Sequence, residues 1–230
     1  YETKEYNKGL VTIQKLFDIL PEEKRTTYHY EYYGKLLVAS DMDSLGVIQL
    51  RKAYNLDPNR SELLSEIAEA NYKTKNYSEA IKAYKEKIGT GKDASPTDYY
   101  FLGRAYYFNA QFMEADTAFS ILNEKSANYA SGWLWRAKAN THIDSTSELG
   151  LAKPHYEKYI EIVLTETDTT KLSRYYSSLI EAYEYLAYYY ILKKDNENVV
   201  LYLQKKKELI QDPEEKKKVQ DTIDQLKSKK

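Results

Sequence analysis

The chain has 230 residues, 42% hydrophobic and 30% charged, with 34 basic against 35 acidic side chains and a formal charge of −1. That balance excludes a strongly basic nucleic-acid binder, and no window approaches the roughly 18 consecutive apolar residues of a membrane-spanning helix. There is no cysteine, which removes disulfides and thiolate metal sites from consideration.

The 25 tyrosines stand against 5 phenylalanines. A tyrosine packs its ring and still presents a hydroxyl to water or to a backbone partner, so the bias suits a thin architecture with many half-buried positions. Residues 1–21 read as one amphipathic helix, with Gly9, Ile13 and Leu16 at helical spacing and Pro21 closing it. Residues 26–58 read as two helices: Tyr30, Tyr33, Gly34 and Leu37 fall on one face of the first at i, i+3, i+4, i+7. Gly46, Leu50 and Ala53 mark the second, and Pro58 ends it.

Residues 61–91 repeat the plan. Leu64, Ile67, Ala68 and Asn71 form the inner face, and Asn76-Tyr77-Ser78-Glu79 reads as a capping box opening the next helix. Ser95-Pro96-Thr97-Asp98 predicts a helix start, with Ser95 as N-cap, Pro96 at N1 and Asp98 complementing the dipole. Trp133, Arg136 and Ala137 open a unit that runs to about residue 164. Extra residues fall near 145–147, and Pro154 should delay or kink the helix that follows. A Thr/Asp-rich link at 166–171 leads to a long helix over 171–194, a turn at Asp195-Asn196 and a helix carried by Val199, Leu203 and Lys206. Asp212-Pro213-Glu214-Glu215 opens a last helix whose single apolar stripe is Val219, Ile223 and Leu226.

Small residues recur in pairs 12 apart: Gly34/Gly46, Ala68/Ala80, Gly103/Ala115 and, more loosely, Ala187/Val199; between Ala137 and Ala152 the gap is 15. The first members stand at 34, 68, 103, 137 and 187, giving steps of 34, 35, 34 and 50. A period of about 34 residues in helix-turn-helix units marks one repeat architecture. On Leu102-Gly103-x-Ala105-Tyr106, Tyr77-Ser78-Glu79-Ala80, Ala115-x-x-Ala118-Phe119, Pro21 and Pro58, nearly the whole chain resembles the tetratricopeptide repeat family. It departs from that family in Val199, where alanine is preferred, in the elongated sixth unit, and in lacking closing prolines after the third to fifth units.

The resemblance implies an all-α fold, a right-handed α-solenoid of helix-turn-helix repeats with a C-terminal capping helix. Its expected division is one array: 1–24 the second helix of a broken repeat, then repeats at 26–60, 61–94, 95–127, 128–165 and 171–211, and a capping helix at 212–230. The broken first repeat carries the expectation that the natural protein extends further toward its N-terminus.

In the family's register the groove-facing positions are Lys35, Glu69, Arg104, Lys138 and Tyr188, with Tyr72, Lys73, Tyr100, Tyr107, Phe108 and His142 beside them. Positive charge interleaved with rings suits an acidic or amphipathic peptide or a partner helix; the plainer reading is a solvated helix face. Glu69 argues against the carboxylate clamp found in some relatives, because it would repel a carboxylate beside it.

The resemblance therefore implies a protein–protein interaction module that is not an enzyme, with a structural spacer or assembly scaffold inside a longer, envelope-associated protein as the alternative. His29, His142 and His155 have no metal spacing, and no catalytic set or cofactor motif stands out. Gly89-Thr90-Gly91-Lys92 lacks the spacing of a phosphate loop. The lysines at 216–218 and in 227–230 fit the cationic end of a helix with an acidic start. The run 153–159 resembles second helices of tetratricopeptide proteins from bacterial envelopes, which leans the location toward a periplasm or cell envelope, with the cytoplasm close behind.

Overall fold

Apolar residues recurring with helical period become helices throughout the computed structural model, which describes residues 5–91 and 94–228 and has no strand among them. The first four residues of the opening segment, residues 92 and 93 and the terminal Lys229 and Lys230 lie outside the described residues. The fold is an all-α solenoid of paired helices. The chain divides into one unit ending at Ala118 and another starting at Phe119.

The first unit contains α1 (Tyr6–Ile19), α2 (Thr27–Ala39), α3 (Asp43–Leu56), α4 (Glu62–Lys73), α5 (Tyr77–Gly89), α6 (Pro96–Phe108) and the beginning of α7 (Phe112–Lys125). From α1 to α6 each helix packs on the next in chain order. Tyr30, Leu50, Leu64, Ile67, Tyr84 and Leu102 build its core. Small residues stand where the backbones approach. A methyl group on Gly34 would lie 2.7 Å from Leu50 Cγ and 3.0 Å from the Gly46 oxygen; on Gly46 it would lie 2.9 Å from the Gly34 oxygen. The pair is a backbone-to-backbone contact that a side chain would pry open. Ala68 and Ala80 fill the equivalent places, fully buried.

The turns within pairs share one geometry. Asp41, Lys75 and Ala110 adopt left-handed backbone, with φ of 59°, 61° and 58°. The following N–H reaches back to close the preceding helix: Met42 to the Leu37 carbonyl (2.9 Å), Asn76 to Asn71 (2.8 Å) and Gln111 to Tyr106 (2.9 Å). This is a Schellman closure with a side chain where glycine is usual. It corrects the expected capping box at 76–79: the Asn76 side chain accepts no bond from the α5 backbone. Its amide instead donates to Asn71 Oδ1 at 3.3 Å.

The second unit holds the rest of α7, then α8 (Ala130–Ile143), α9 (Lys153–Val163), the short α10 (Thr169–Leu172), α11 (Tyr176–Leu192), α12 (Asn196–Leu209) and α13 (Pro213–Ser228). Both tryptophans, Trp133 and Trp135, lie on α8. Tyr156, Tyr159, Leu179, Tyr183 and Leu186 form its core. The added residues make the loop at 144–152, where Asp144 Oδ2 accepts the Gly150 N–H at 2.8 Å. Pro154 sits in the first turn of α9, where its missing N–H costs no intrahelical bond.

The long helix expected over 171–194 is corrected. A 3₁₀ turn at Ser173–Tyr175 separates α10 from α11. Ser173 Oγ donates to the Thr170 carbonyl at 2.7 Å, a local bond that competes with the α-helical ladder. At the end of the chain, Asp212 Oδ1 accepts the Glu214 N–H at 2.7 Å. Val219 and Ile223 of α13 close over Ile210, Ile180, Val200 and Leu203, the role of a terminal cap.

Candidate functional site

In the first unit, α4 and α6 bring several of the groove-register residues together. Tyr72 and the α6 residues Tyr100, Arg104, Tyr107 and Phe108 recur at helical spacing on neighbouring faces. The Arg104 guanidinium lies 5.2 Å from the Tyr72 ring centre, 5.5 Å from Tyr100 and 5.9 Å from Phe108. Phe108 stacks on Tyr77 of α5 at 5.5 Å and meets Tyr107 edge-on at 5.4 Å. Burial pushes the Tyr72 phenol up, with Arg104 pulling the other way. Phe108 remains 43% exposed, so the platform offers an apolar ring to solvent. Sequence reasoning missed Tyr77 and Phe101. Both join through the turn and the next face of α6, contacts no single-helix register displays.

The other first-unit residues border a cavity of about 380 Å³ between α2 and α4, where Lys35, Glu69 and Lys73 face apolar walls from Val38, Ala39, Leu50 and Ala70. The expectation of a basic groove is corrected here. Lys35 Nζ is 2.7 Å from Glu31 and 3.0 Å from Glu66. Lys73 Nζ is 2.6 Å from Asp41 and 3.3 Å from Asp43. Both cations are paired with carboxylates: Glu31 stands four residues before Lys35 on α2, whereas Glu66, Asp41 and Asp43 arrive from other elements, which the sequence register does not reveal.

Arg60 grips Glu31 with both guanidinium nitrogens, Nη1 donating to Oε2 and Nη2 at 3.0 Å to Oε1, the oxygen that Lys35 also holds. Burial works to raise the Glu31 carboxyl, but hydrogen bonds from Arg60 and Lys35 outweigh it and hold it low. Burial raises Glu66 and Glu69; the Lys35 contact offsets part of it for Glu66, and the Asp98 charge adds to it for Glu69.

The second unit places its three register residues apart in character. Lys138 Nζ is 2.7 Å from Glu181 on α11 and 5.5 Å from the Trp135 ring centre. Glu181 also accepts the Tyr156 hydroxyl at 3.0 Å. His142 on α8 and Tyr188 on α11 are exposed, Tyr188 by 48%. Among the described residues no group of His, Asp or Glu has the arrangement of a metal site. No described helix is long and apolar enough to cross a membrane.

No protein-family model and no curated protein matches the chain. Among solved structures it is similar to the C-terminal part of a TPR repeat-containing protein from Cytophaga hutchinsonii, at 32% identity over 95% of this chain and 83% of that one, with a TM-score of 0.80. It is also similar to YrrB, described as a TPR protein with an unusual peptide-binding site, at 16% identity over 91% and 97% of the two chains (TM-score 0.64). A third likeness is to the MamA protein, at 22% identity over 78% and 93% (TM-score 0.58). The last two likenesses concern the fold alone.

Proposed function

Because the chain belongs to the tetratricopeptide repeat family, we propose that it is a protein–protein interaction module whose first unit takes a partner peptide or amphipathic helix on the face of α4 and α6. The observation that carries this reading is the platform of Tyr72, Tyr100, Tyr107 and Phe108 around the Arg104 guanidinium, with Phe108 open to solvent. Aromatic rings and arginine dominate binding energy at protein interfaces because they bury large, stiff surfaces at small entropic cost. Lys35, Glu69 and Lys73 border the adjoining cavity of the same unit. Lys138, His142 and Tyr188, on the second unit, are the remaining residues of this proposal. The repeat boundaries given above are part of this proposal.

Selection of peptides from a random display library on the whole chain tests it. Peptides so obtained should lose at least about 30-fold in affinity on the double variant Arg104→Glu/Phe108→Ser, the scale of one interface hot spot, with the helical circular-dichroism spectrum retained. Selected peptides that bind the double variant as well as the parent would overturn the assignment of the surface.

A second reading, a structural spacer or assembly scaffold in a longer protein, is favoured by one set of observations. Lys35–Glu66 and Lys138–Glu181 join neighbouring first helices, so cations expected to meet a partner serve the internal framework. A display selection that yields no peptide specific to the chain would support that reading.

A further inference from the structure

We propose that the cavity between α2 and α4 is a seat for one long cationic side chain, lysine or arginine, of a partner peptide; this rests on the reading that the first unit takes a peptide. The cavity has two kinds of wall. Val38, Ala39, Leu50 and Ala70 give it an apolar side, and Lys35, Glu66, Glu69 and Lys73 stand at its polar side. A lysine or arginine has the same two parts in one chain, an aliphatic stem and a charged head. At about 380 Å³ the space holds such a side chain.

The charge around the cavity selects the sign of its occupant. Lys35 is held by Glu31 and Glu66, and Lys73 by Asp41 and Asp43. Arg60 is engaged on Glu31 and Glu62. Glu69 forms no ion pair among the described residues, and with the carboxylates already named it leaves the surroundings of the cavity acidic on balance. An incoming carboxylate would stand beside Glu69 and be repelled. A purely apolar side chain would strip water from Glu69 with nothing in return. A cationic head offers both hydrogen bonds and opposite charge.

Titration of the ¹⁵N-labelled whole chain with N-acetyl-arginine amide, followed by its amide NMR spectrum, tests the seat; N-acetyl-glutamate amide serves as the comparison. The arginine probe should shift the amides of Val38, Ala39, Glu69 and Ala70 in a saturable way, and the glutamate probe should leave them in place. Glu69→Gln should weaken the arginine probe about tenfold, the usual worth of a hydrogen bond to a charged group, while the melting temperature stays put. No saturable shift with arginine, equal shifts with glutamate, or an unaltered response in Glu69→Gln each overturns the seat. Arg104→Glu/Phe108→Ser should bind the arginine probe like the parent. Peptide binding that depends on Phe108 without any arginine response therefore sinks the seat and leaves the interaction surface standing, whereas the reverse result sinks the surface.

Discussion

Asp98 is satisfied from three directions at the start of α6. Its Oδ2 accepts the Ser95 N–H at 2.9 Å and the Ser95 hydroxyl at 2.8 Å; its Oδ1 accepts Lys87 Nζ at 2.8 Å and the Ser65 hydroxyl at 3.2 Å. Burial pushes the carboxyl up, yet these bonds outweigh it and the group titrates below its ordinary 3.8. A depressed folded-state value means that the stability it supplies is complete above the unfolded value and drains away as pH falls through the folded one. Asp98→Asn should cost about 3 kcal/mol at pH 7, since it strands the mostly covered Lys87 ammonium. In urea titrations the gap from the parent should narrow steadily below pH 4. A gap that stays constant down to pH 2 would show that charge is not the cause. Gly150 is another single-residue constraint, with φ of +73° and a methyl position 2.4 Å from Tyr189 Cε2. Gly150→Ala should destabilise by about 2–3 kcal/mol, visible as a lowered thermal midpoint. The Ser95-Pro96-x-Asp98 start was readable because every partner lies within three residues. Lys87 and Ser65 were not, because they arrive from other helices, 11 and 33 residues away in sequence.

Helices and their turns show the same division between near and far. Pairs of small residues 12 apart announced where α2 meets α3 and α4 meets α5, because close backbones leave room for no side chain larger than a methyl group. Lys194, with φ of 56°, repeats in the second unit the left-handed turn of Asp41, Lys75 and Ala110. None of the four is glycine, so the sequence gives no sign of that geometry. An L-residue there costs roughly 1–2 kcal/mol, part of which glycine returns as unfolded-state entropy. Ala110→Gly should accordingly stabilise the protein by about 0.5–1 kcal/mol, read as a raised urea midpoint at unchanged slope. A lowered midpoint would contradict the left-handed turn. The failed capping box and the break between α10 and α11 have one cause. Asn76 and Ser173 can each bond to a backbone or side-chain partner nearby, and residue order does not say which bond prevails. His29 supplies the N3 half of a capping box with an imidazole where Glu or Gln is usual, its Nδ1 accepting the Thr26 N–H at 2.9 Å.

At the scale of the whole molecule, each unit has its own core, and in the second that core is finished by α13. Ending the chain after Gln211 would uncover Ile210, Leu203 and Val200. Amide hydrogen exchange should then quicken along α12 and the adjoining turns of α11, with the first unit unaffected, as expected where neighbours stabilise neighbours. Unchanged protection in α12 would deny α13 its covering role. The architecture was readable from repetition alone, and the groove-register residues could be numbered from it. The charge they present could not, because Glu66, Asp41, Asp43 and Glu181 take their cations across helix boundaries. The confinement of both indoles to α8 has a practical corollary for optical work. Emission excited where only tryptophan absorbs comes entirely from the second unit. The rings around Arg104 are silent under that illumination, so a ligand settling on them would go unseen unless phenolic absorption, or an added chromophore, is recorded instead.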